Sequence, residues 1–173
     1  MKKTILAVLT AVAILFTGCS AGQPKPDDVV KKTPEELTSL YTEAIRAARS
    51  TEENDSLPIS TAPDDEMADM VFPLIEFSPE NAAAYAISIS PWNISAYGIA
   101  VIMPAEGKRD DVRNGLDTFV ENQRRAFEHY LPDQYEHAKN ATVTELEDGT
   151  LVLVMCEDSE QILESITKKV IEG

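Results

Sequence analysis

The sequence contains few of the residues on which most catalytic and metal sites depend. Its 173 residues include two cysteines, two histidines and seven glycines. Zinc sites of the common types need paired cysteines or an H-E-x-x-H pattern, and many serine hydrolases need a G-x-S-x-G turn. None of these patterns occurs in the sequence. We therefore predict no catalytic residue, no metal site and no cofactor.

Basic residues are also scarce. Lysine and arginine total 15 against 30 acidic residues, which gives a formal net charge of −15 at pH 7. Nucleic-acid binding depends on basic patches that displace counterions, so nucleic acid is excluded as a partner. The same charge repels the anionic headgroups of lipids, so we do not expect the folded part of the chain to bind a membrane through a basic face.

The two histidines, His129 and His137, are separated by Pro132. Because proline ends a helix, the two imidazoles are not expected to share one helical face. We predict that both are solvated surface residues. The alternative is a small envelope hydrolase or metal-dependent enzyme that uses both histidines.

No apolar run is long enough to span a bilayer as a permanent helix, but the chain begins with the order typical of an export signal. Lys2 and Lys3 come first, residues 5–16 are almost entirely apolar, and Thr-Gly precedes Cys19. A cysteine after small residues is typical of a lipobox, in which the thiol receives a diacylglyceryl group. We predict a lipoprotein signal peptide at residues 1–18 and an acyl anchor on Cys19, with palmitate as one of its chains. The protein would then be attached to the cell membrane on its extracytoplasmic side.

The second cysteine, Cys156, has no intrachain partner if Cys19 carries the lipid. It follows the apolar run at residues 151–155. We therefore predict that Cys156 is a buried small hydrophobe in a domain that has no disulfide bond.

The remaining chain divides into a tether and one domain. Residues 19–33 are small, polar and proline-containing, which is typical of a flexible tether. Residues 34–173 are predicted to form a single domain whose first part, residues 34–66, is helical and acidic. An amphipathic helix starts at Thr33, which is followed by proline and glutamate in the order of a capping box. We predict a loop at residues 50–65.

Residue patterns in the rest of the domain predict an α+β fold. Period-two or fully apolar stretches indicate strands, and apolar residues at helical spacing indicate helices. Asp148-Gly149 predicts a two-residue hairpin turn of the primed type. The predicted segments are short helices at 66–72 and 78–84, strands at 85–89, 96–103, 142–146 and 150–156, a long helix from Asp110 or Asp111 to Tyr130, one further helical turn at 134–139, and a last helix capped by Asp158 or Ser159.

The most economical arrangement of these segments is a two-layer sandwich. The order from residue 85 onward is ββαββα, in which each half supplies a hairpin and one amphipathic helix. We predict a four-stranded, mainly antiparallel sheet with helices packed on one face, preceded by the N-terminal amphipathic helix.

Three aromatic residues are candidate contacts for a ligand or partner. Trp92 lies in a loop between two predicted strands, where it could bind a partner or close the end of the core. Tyr130 and Tyr135 lie near the end of the long helix and present the same two alternatives.

With these segments in place, the chain resembles domain of unknown function family 4358, a group of small bacterial lipoproteins found mostly in Firmicutes. The resemblance covers the chain from about Met67 to the end, and rests on order and spacing. The residues that carry it are Tyr85, the turn at 90–93, the strand at 99–101 followed by Gly107, the helix end at 123–132, Tyr135, Asn140-Ala141, Gly149 and Glu157-Asp158. The resemblance implies the class and location of the protein, but no activity.

Taken together, these observations predict a membrane-anchored extracytoplasmic lipoprotein that binds rather than catalyses. Its expected partner is another envelope protein or a small ligand. Besides the enzyme alternative, the chain could be a structural subunit of an envelope complex.

Overall fold

The computed structural model describes residues 32–173, which contain six α-helices and four strands. The helices are α1 (Pro34–Ala48), α2 (Thr51–Ser56), α3 (Ala68–Val71), α4 (Arg109–Phe127), α5 (Pro132–Lys139) and α6 (Ser159–Glu172). The strands are β1 (Ala82–Ile89), β2 (Gly98–Pro104), β3 (Thr142–Glu145) and β4 (Leu151–Met155). Short 3-10 helices occupy Phe72–Ile75 and Pro79–Asn81. The predicted signal peptide, Cys19 and most of the predicted tether lie outside the described residues.

The four strands form one antiparallel sheet in the order β1-β2-β4-β3. This confirms the predicted α+β class, the ββαββα order and the antiparallel pairing. β2 and β4 are the inner strands, and both are apolar on their two faces because each face is covered. The first strand begins at Ala82, where we had predicted a helix over residues 78–84. The helical part of that segment ends with the 3-10 helix at Pro79–Asn81.

The layering differs from the predicted two-layer sandwich because helices cover both faces of the sheet. Tyr85, Ile87 and Ile89 of β1 lie in a core cluster with α3 and α4, whereas Ala84 and Ala86 lie in a second cluster with α1 and α6. Successive residues of a strand point to opposite faces, so the two clusters are the two sides of one sheet. The prediction of helices on one face was wrong because the order of the segments does not show which face of the sheet each helix covers. The small side chains of Ala84 and Ala86 on the second face leave room for α1 to pack closely.

The predicted capping box at the start of α1 is confirmed. Thr33 Oγ1 accepts from the backbone N–H of Glu36 at 3.2 Å, and Glu36 Oε2 accepts from the backbone N–H of Thr33 at 2.7 Å. A second capping box joins Ser50 and Glu53 and begins α2, in the segment where we had predicted only a loop. The apolar pattern does not predict α2, because this helix has no apolar face and none of its residues is buried.

The hairpin between β3 and β4 has a three-residue turn instead of the predicted two-residue one. Leu146 and Thr150 form the closing pair, with Leu146 N–H donating to the Thr150 carbonyl at 2.8 Å. A second bond runs from Gly149 N–H to the Leu146 carbonyl at 3.0 Å, and Gly149 has a φ of +89°. This is a turn followed by a glycine bulge. Asp148 keeps a negative φ, and its carboxylate accepts from the Thr150 N–H and hydroxyl, both at 2.9 Å.

Within residues 32–173, no helix combines the length with the apolar character that crossing a bilayer requires.

Candidate functional site

Three connections meet at one end of the sheet. Ile89 pairs with Gly98, Gly98 pairs with Met155, and Thr142 pairs with Val154, so the chain leaves β1 and β4 and enters β2 and β3 at this same end. The loop at 90–97, helix α5 and the β4–α6 junction therefore lie close together. A hydrogen bond of 2.8 Å from the Ala96 N–H to Gln134 Oε1 joins the loop to α5.

Three large apolar side chains near this end of the sheet are exposed, namely Trp92, Ile94 and Tyr130, and we call them the exposed apolar patch. Their exposed fractions are 63%, 65% and 64%. Ile94 lines a shallow depression of about 120 Å³ together with Leu131, which follows Tyr130, so the loop and the α4–α5 corner form one surface. The alternative in which Trp92 closes the end of the core does not fit this exposure.

Tyr135, the third predicted contact residue, has a different environment. It lies on α5, is half-buried and packs against the core cluster between the sheet and α4. The structure therefore places Trp92 and Tyr130 on the exposed apolar patch, and leaves Tyr135 partly within the core.

A polar cleft lies beside the patch, between the end of α1, the loop before β2, α5 and the β4–α6 junction. Its volume is about 670 Å³, which falls within the usual size range of small-molecule sites. The side chains that line it include Arg49, Glu53, Tyr97, Gln134, His137 and Gln161. The cleft also contains the acidic pair Glu157 and Asp158.

Arg49 is the most unusual residue of the polar cleft because it is a buried cation. It is 7% exposed and ends α1 as its C-cap. Its guanidinium donates to Asn54 Oδ1 at 2.8 Å, to Ser88 Oγ at 2.8 Å and to the Tyr97 hydroxyl at 3.3 Å. A fourth bond of 2.6 Å goes to the Leu57 carbonyl. These contacts join α1, α2, β1 and the start of β2.

Two other ionisable groups line the cleft in protonated form. Desolvation by burial raises the pKa of Tyr97 to about 12, although the hydrogen bond from Arg49 opposes this shift. Burial also raises the pKa of the Cys156 thiol to about 12, and the carboxylates of Glu53, Asp158 and Glu157 add to this effect. A thiol with such a pKa is a poor nucleophile. Cys156 is 6% exposed, which confirms the prediction that it is buried.

The two histidines occupy different surroundings. The side chain of His129 is 89% exposed and lies 3.8 Å from Glu128, whereas His137 is half-buried on α5 and lines the polar cleft. α4 ends at Phe127 and α5 begins at Pro132, which confirms that no single helix carries both histidines. Over residues 32–173, no group of three or more histidine, cysteine or acidic side chains is arranged to hold a metal ion.

One family match shows how this chain is related to known proteins. A family model described as Domain of unknown function (DUF4358) matches residues 68–156, which is just over half of the chain. The chain belongs to the DUF4358 family. No curated protein and no solved structure matches it.

The DUF4358 match corresponds to a definite part of the fold. It begins at the first residue of α3, includes all four strands, and ends at Cys156. The exposed apolar patch therefore lies wholly inside the matched stretch. Arg49, α1 and α6 lie outside it, so one wall of the polar cleft is contributed by segments that the family model does not cover.

The sequence patterns did not predict Arg49, Tyr97 or Gln134 as site residues. Arg49 could have been noticed because it follows the apolar face of α1 and precedes the capping-box residues of α2. Tyr97 and Gln134 carry no local signal, because their importance comes only from contacts between segments that are distant in the chain.

Proposed function

We propose that this member of the DUF4358 family is an extracytoplasmic bacterial lipoprotein of the Firmicutes type that binds another envelope protein. The order of charged, apolar and small residues before Cys19 supports a lipid anchor on that cysteine. In this proposal the diacylglyceryl group holds the protein at the membrane, and the exposed apolar patch provides the contact with the partner.

The exposure of Trp92, Ile94 and Tyr130 is the observation that carries this proposal. Large apolar side chains that are 63% to 65% exposed at one end of a domain are typical of protein interaction sites. Tryptophan and tyrosine are also the residue types most often found at the energetic centres of interfaces. None of the three side chains belongs to a core cluster, so their role in stability is small.

Charge around the patch indicates what kind of partner fits it. Asp133 lines the depression next to Ile94, Glu128 precedes Tyr130 by two residues, and the whole chain has a net charge of −15. Complementary charge increases the rate and the specificity of association. The partner we propose therefore has an apolar pocket bordered by lysine and arginine side chains.

Crosslinking in living cells tests the partner contact. A photoreactive group close to residue 94 should capture a protein from cells that express the natural chain, and Trp92→Ala should abolish the capture. Ile171→Ala is the matched control, because Ile171 is 62% exposed on α6, outside the patch. Equal capture by the Trp92 and Ile171 variants, or no capture from the natural chain, would show that the patch is not a contact surface.

The anchor is tested separately by the Cys19→Ser variant. Without the thiol the variant cannot receive the diacylglyceryl group, so we expect an uncleaved precursor or release from the membrane fraction. Mass spectrometry of the natural protein should find an acylated N-terminal cysteine. An unmodified N-terminus, or a mature chain that starts elsewhere, would contradict the proposed location.

A further inference from the structure

The polar cleft contains a buried cation that has no acidic partner. All four acceptors bonded to Arg49 are neutral, being an amide oxygen, two hydroxyls and a backbone carbonyl. The ion pairs formed in the described part of the chain do not include this guanidinium. A buried charge without a counter-charge is unfavourable, and pairing with an anion would relieve this cost. No carboxylate within residues 32–173 forms an ion pair with this guanidinium, so a negatively charged group from outside can take that place.

Three side chains of the cleft also have hydrogen-bond donors without an acceptor within residues 32–173. Arginine has five N–H donors, and Arg49 uses four of them, which leaves one on Nη2. The Tyr97 hydroxyl accepts from Arg49, so its own O–H is available, and its raised pKa of about 12 keeps the proton in place. Gln134 accepts from Ala96 through Oε1, which leaves its amide N–H groups available. A carboxylate can accept several such bonds at once.

The other charges of the cleft argue against a simple anion. Glu157 and Asp158 line the cleft at the β4–α6 junction, and Glu53 lines it from α2. These carboxylates repel an anion that carries no positive group, but they attract an ammonium group. The cleft therefore contains donors for an anionic group and carboxylates for a cationic group, and its volume of about 670 Å³ leaves room for a small molecule.

We propose that the polar cleft binds a small zwitterion, with its carboxylate on the side of Arg49 and Tyr97 and its ammonium group on the side of Glu157 and Asp158. Free amino acids and dipeptides carry both groups. This site is separate from the exposed apolar patch, and it does not depend on the proposed lipid anchor or protein partner.

Calorimetric titration of the full chain, purified as it occurs in the cell and kept in a neutral detergent, tests the proposal. The probes are L-alanine and L-alanyl-L-alanine, because their side chains are too small to contribute much beyond the two charged groups. Propionate and ethylamine are the matched controls, since each lacks one of the charged groups of alanine. We expect at least one zwitterion to bind, and both controls to bind at least about tenfold more weakly. No binding of either zwitterion at millimolar concentration, or equally tight binding of propionate or ethylamine, would overturn the proposal.

A pair of tyrosine variants locates the carboxylate side. Tyr97→Phe removes one donor from the cleft, and we expect it to weaken binding of the zwitterion about tenfold. Tyr41→Phe is the control. Tyr41 is buried in the same core cluster as Tyr97, and its hydroxyl is bonded to Thr150 at 3.0 Å, but it does not line the cleft. Both variants keep their ring packing, so folding is checked by circular dichroism. Equal affinities in the two variants would show that Tyr97 does not contact the ligand, and would refute the proposed orientation.

A charge variant tests the ammonium side. Glu157→Gln should weaken binding of the zwitterion and strengthen binding of propionate, because one source of repulsion is removed. Glu164→Gln on the exposed surface of α6 is the control for the change in net charge. If the Glu157 and Glu164 variants bind both probes alike, the acidic wall does not take part.

Discussion

Arg49 shows how a single side chain can join distant parts of the chain. Its guanidinium contacts Asn54 in α2, Ser88 in β1 and Tyr97 just before β2. Ser88 is fully buried, and its hydroxyl faces the same side of the sheet as α1. A polar residue in the middle of a strand is therefore a partner of a buried cation. Periodicity alone does not reveal such a role, because a buried serine and an exposed serine look the same in the sequence.

At the same scale, Cys156 should be chemically unreactive in the folded protein. Burial raises the pKa of its thiol to about 12, so very little thiolate is present at neutral pH. Iodoacetamide should modify Cys156 slowly in native protein and rapidly after unfolding in urea. Mass spectrometry of the peptide containing Cys156 measures both rates independently of any other cysteine. Similar rates in the two states would mean that the thiol is accessible in the native fold.

At the scale of elements, local sequence signals predicted where some helices start, but not which face of the sheet those helices pack against. The capping box at Thr33 was visible in the sequence because its hydrogen bonds join residues only three positions apart. The same signal at Ser50 does not by itself predict a helix, because α2 has no apolar face to accompany it. α4 begins at Arg109, one residue before the acids expected to cap it, with Lys108 as its N-cap and no side-chain capping bond.

Gly115 allows close packing of α4 and gives an element-scale prediction. A Cβ atom at this position would lie 2.2 Å from the carbonyl oxygen of Ile75, in the 3-10 helix that packs on α4. Alanine normally stabilises a helix relative to glycine, but here the backbone would have to move. We expect Gly115→Ala to lower the free energy of unfolding by about 3 kcal/mol, near the upper end of the usual cost of overpacking.

Urea denaturation measures this effect. Asn114→Ala is the control, because Asn114 is the exposed neighbour on the same helix and its replacement should change stability by no more than about 0.5 kcal/mol. If Gly115→Ala is as stable as the natural protein, the close approach of α4 to Ile75 is not present in solution.

At the scale of the whole molecule, stability should fall in alkaline solution. Burial raises the pKa of Tyr41 and of Tyr97 from 10.0 to about 12, and that of Cys156 from 9.0 to about 12. As the pH rises, these groups lose their protons in the unfolded state before they lose them in the folded state. Raising the pH therefore lowers the free energy of unfolding. The stability that the protonated forms of these three groups contribute is fully present below about pH 9 and is lost as the pH approaches 12.

Urea midpoints measured from neutral pH to pH 12 check this expectation. The double variant Tyr41→Phe and Cys156→Ala should be less stable at neutral pH, but its midpoint should fall less steeply in alkali because two of the three groups are absent. A midpoint that stays constant through this range, or an equal slope in the variant, would show that these groups do not control alkaline unfolding.

The sequence by itself determined the α+β class, the order of strands and helices, the capping of α1, the burial of Cys156 and membership of the DUF4358 family. These features follow from hydrogen bonds and apolar periods that act over a few residues, or from the order of such segments along the chain. Only the tertiary structure decided that helices cover both faces of the sheet, that Trp92 is exposed, and that Arg49, Tyr97 and Gln134 share one cleft. These outcomes depend on which distant segments pack together, and side-chain volume and burial at those contacts are not encoded by any local pattern.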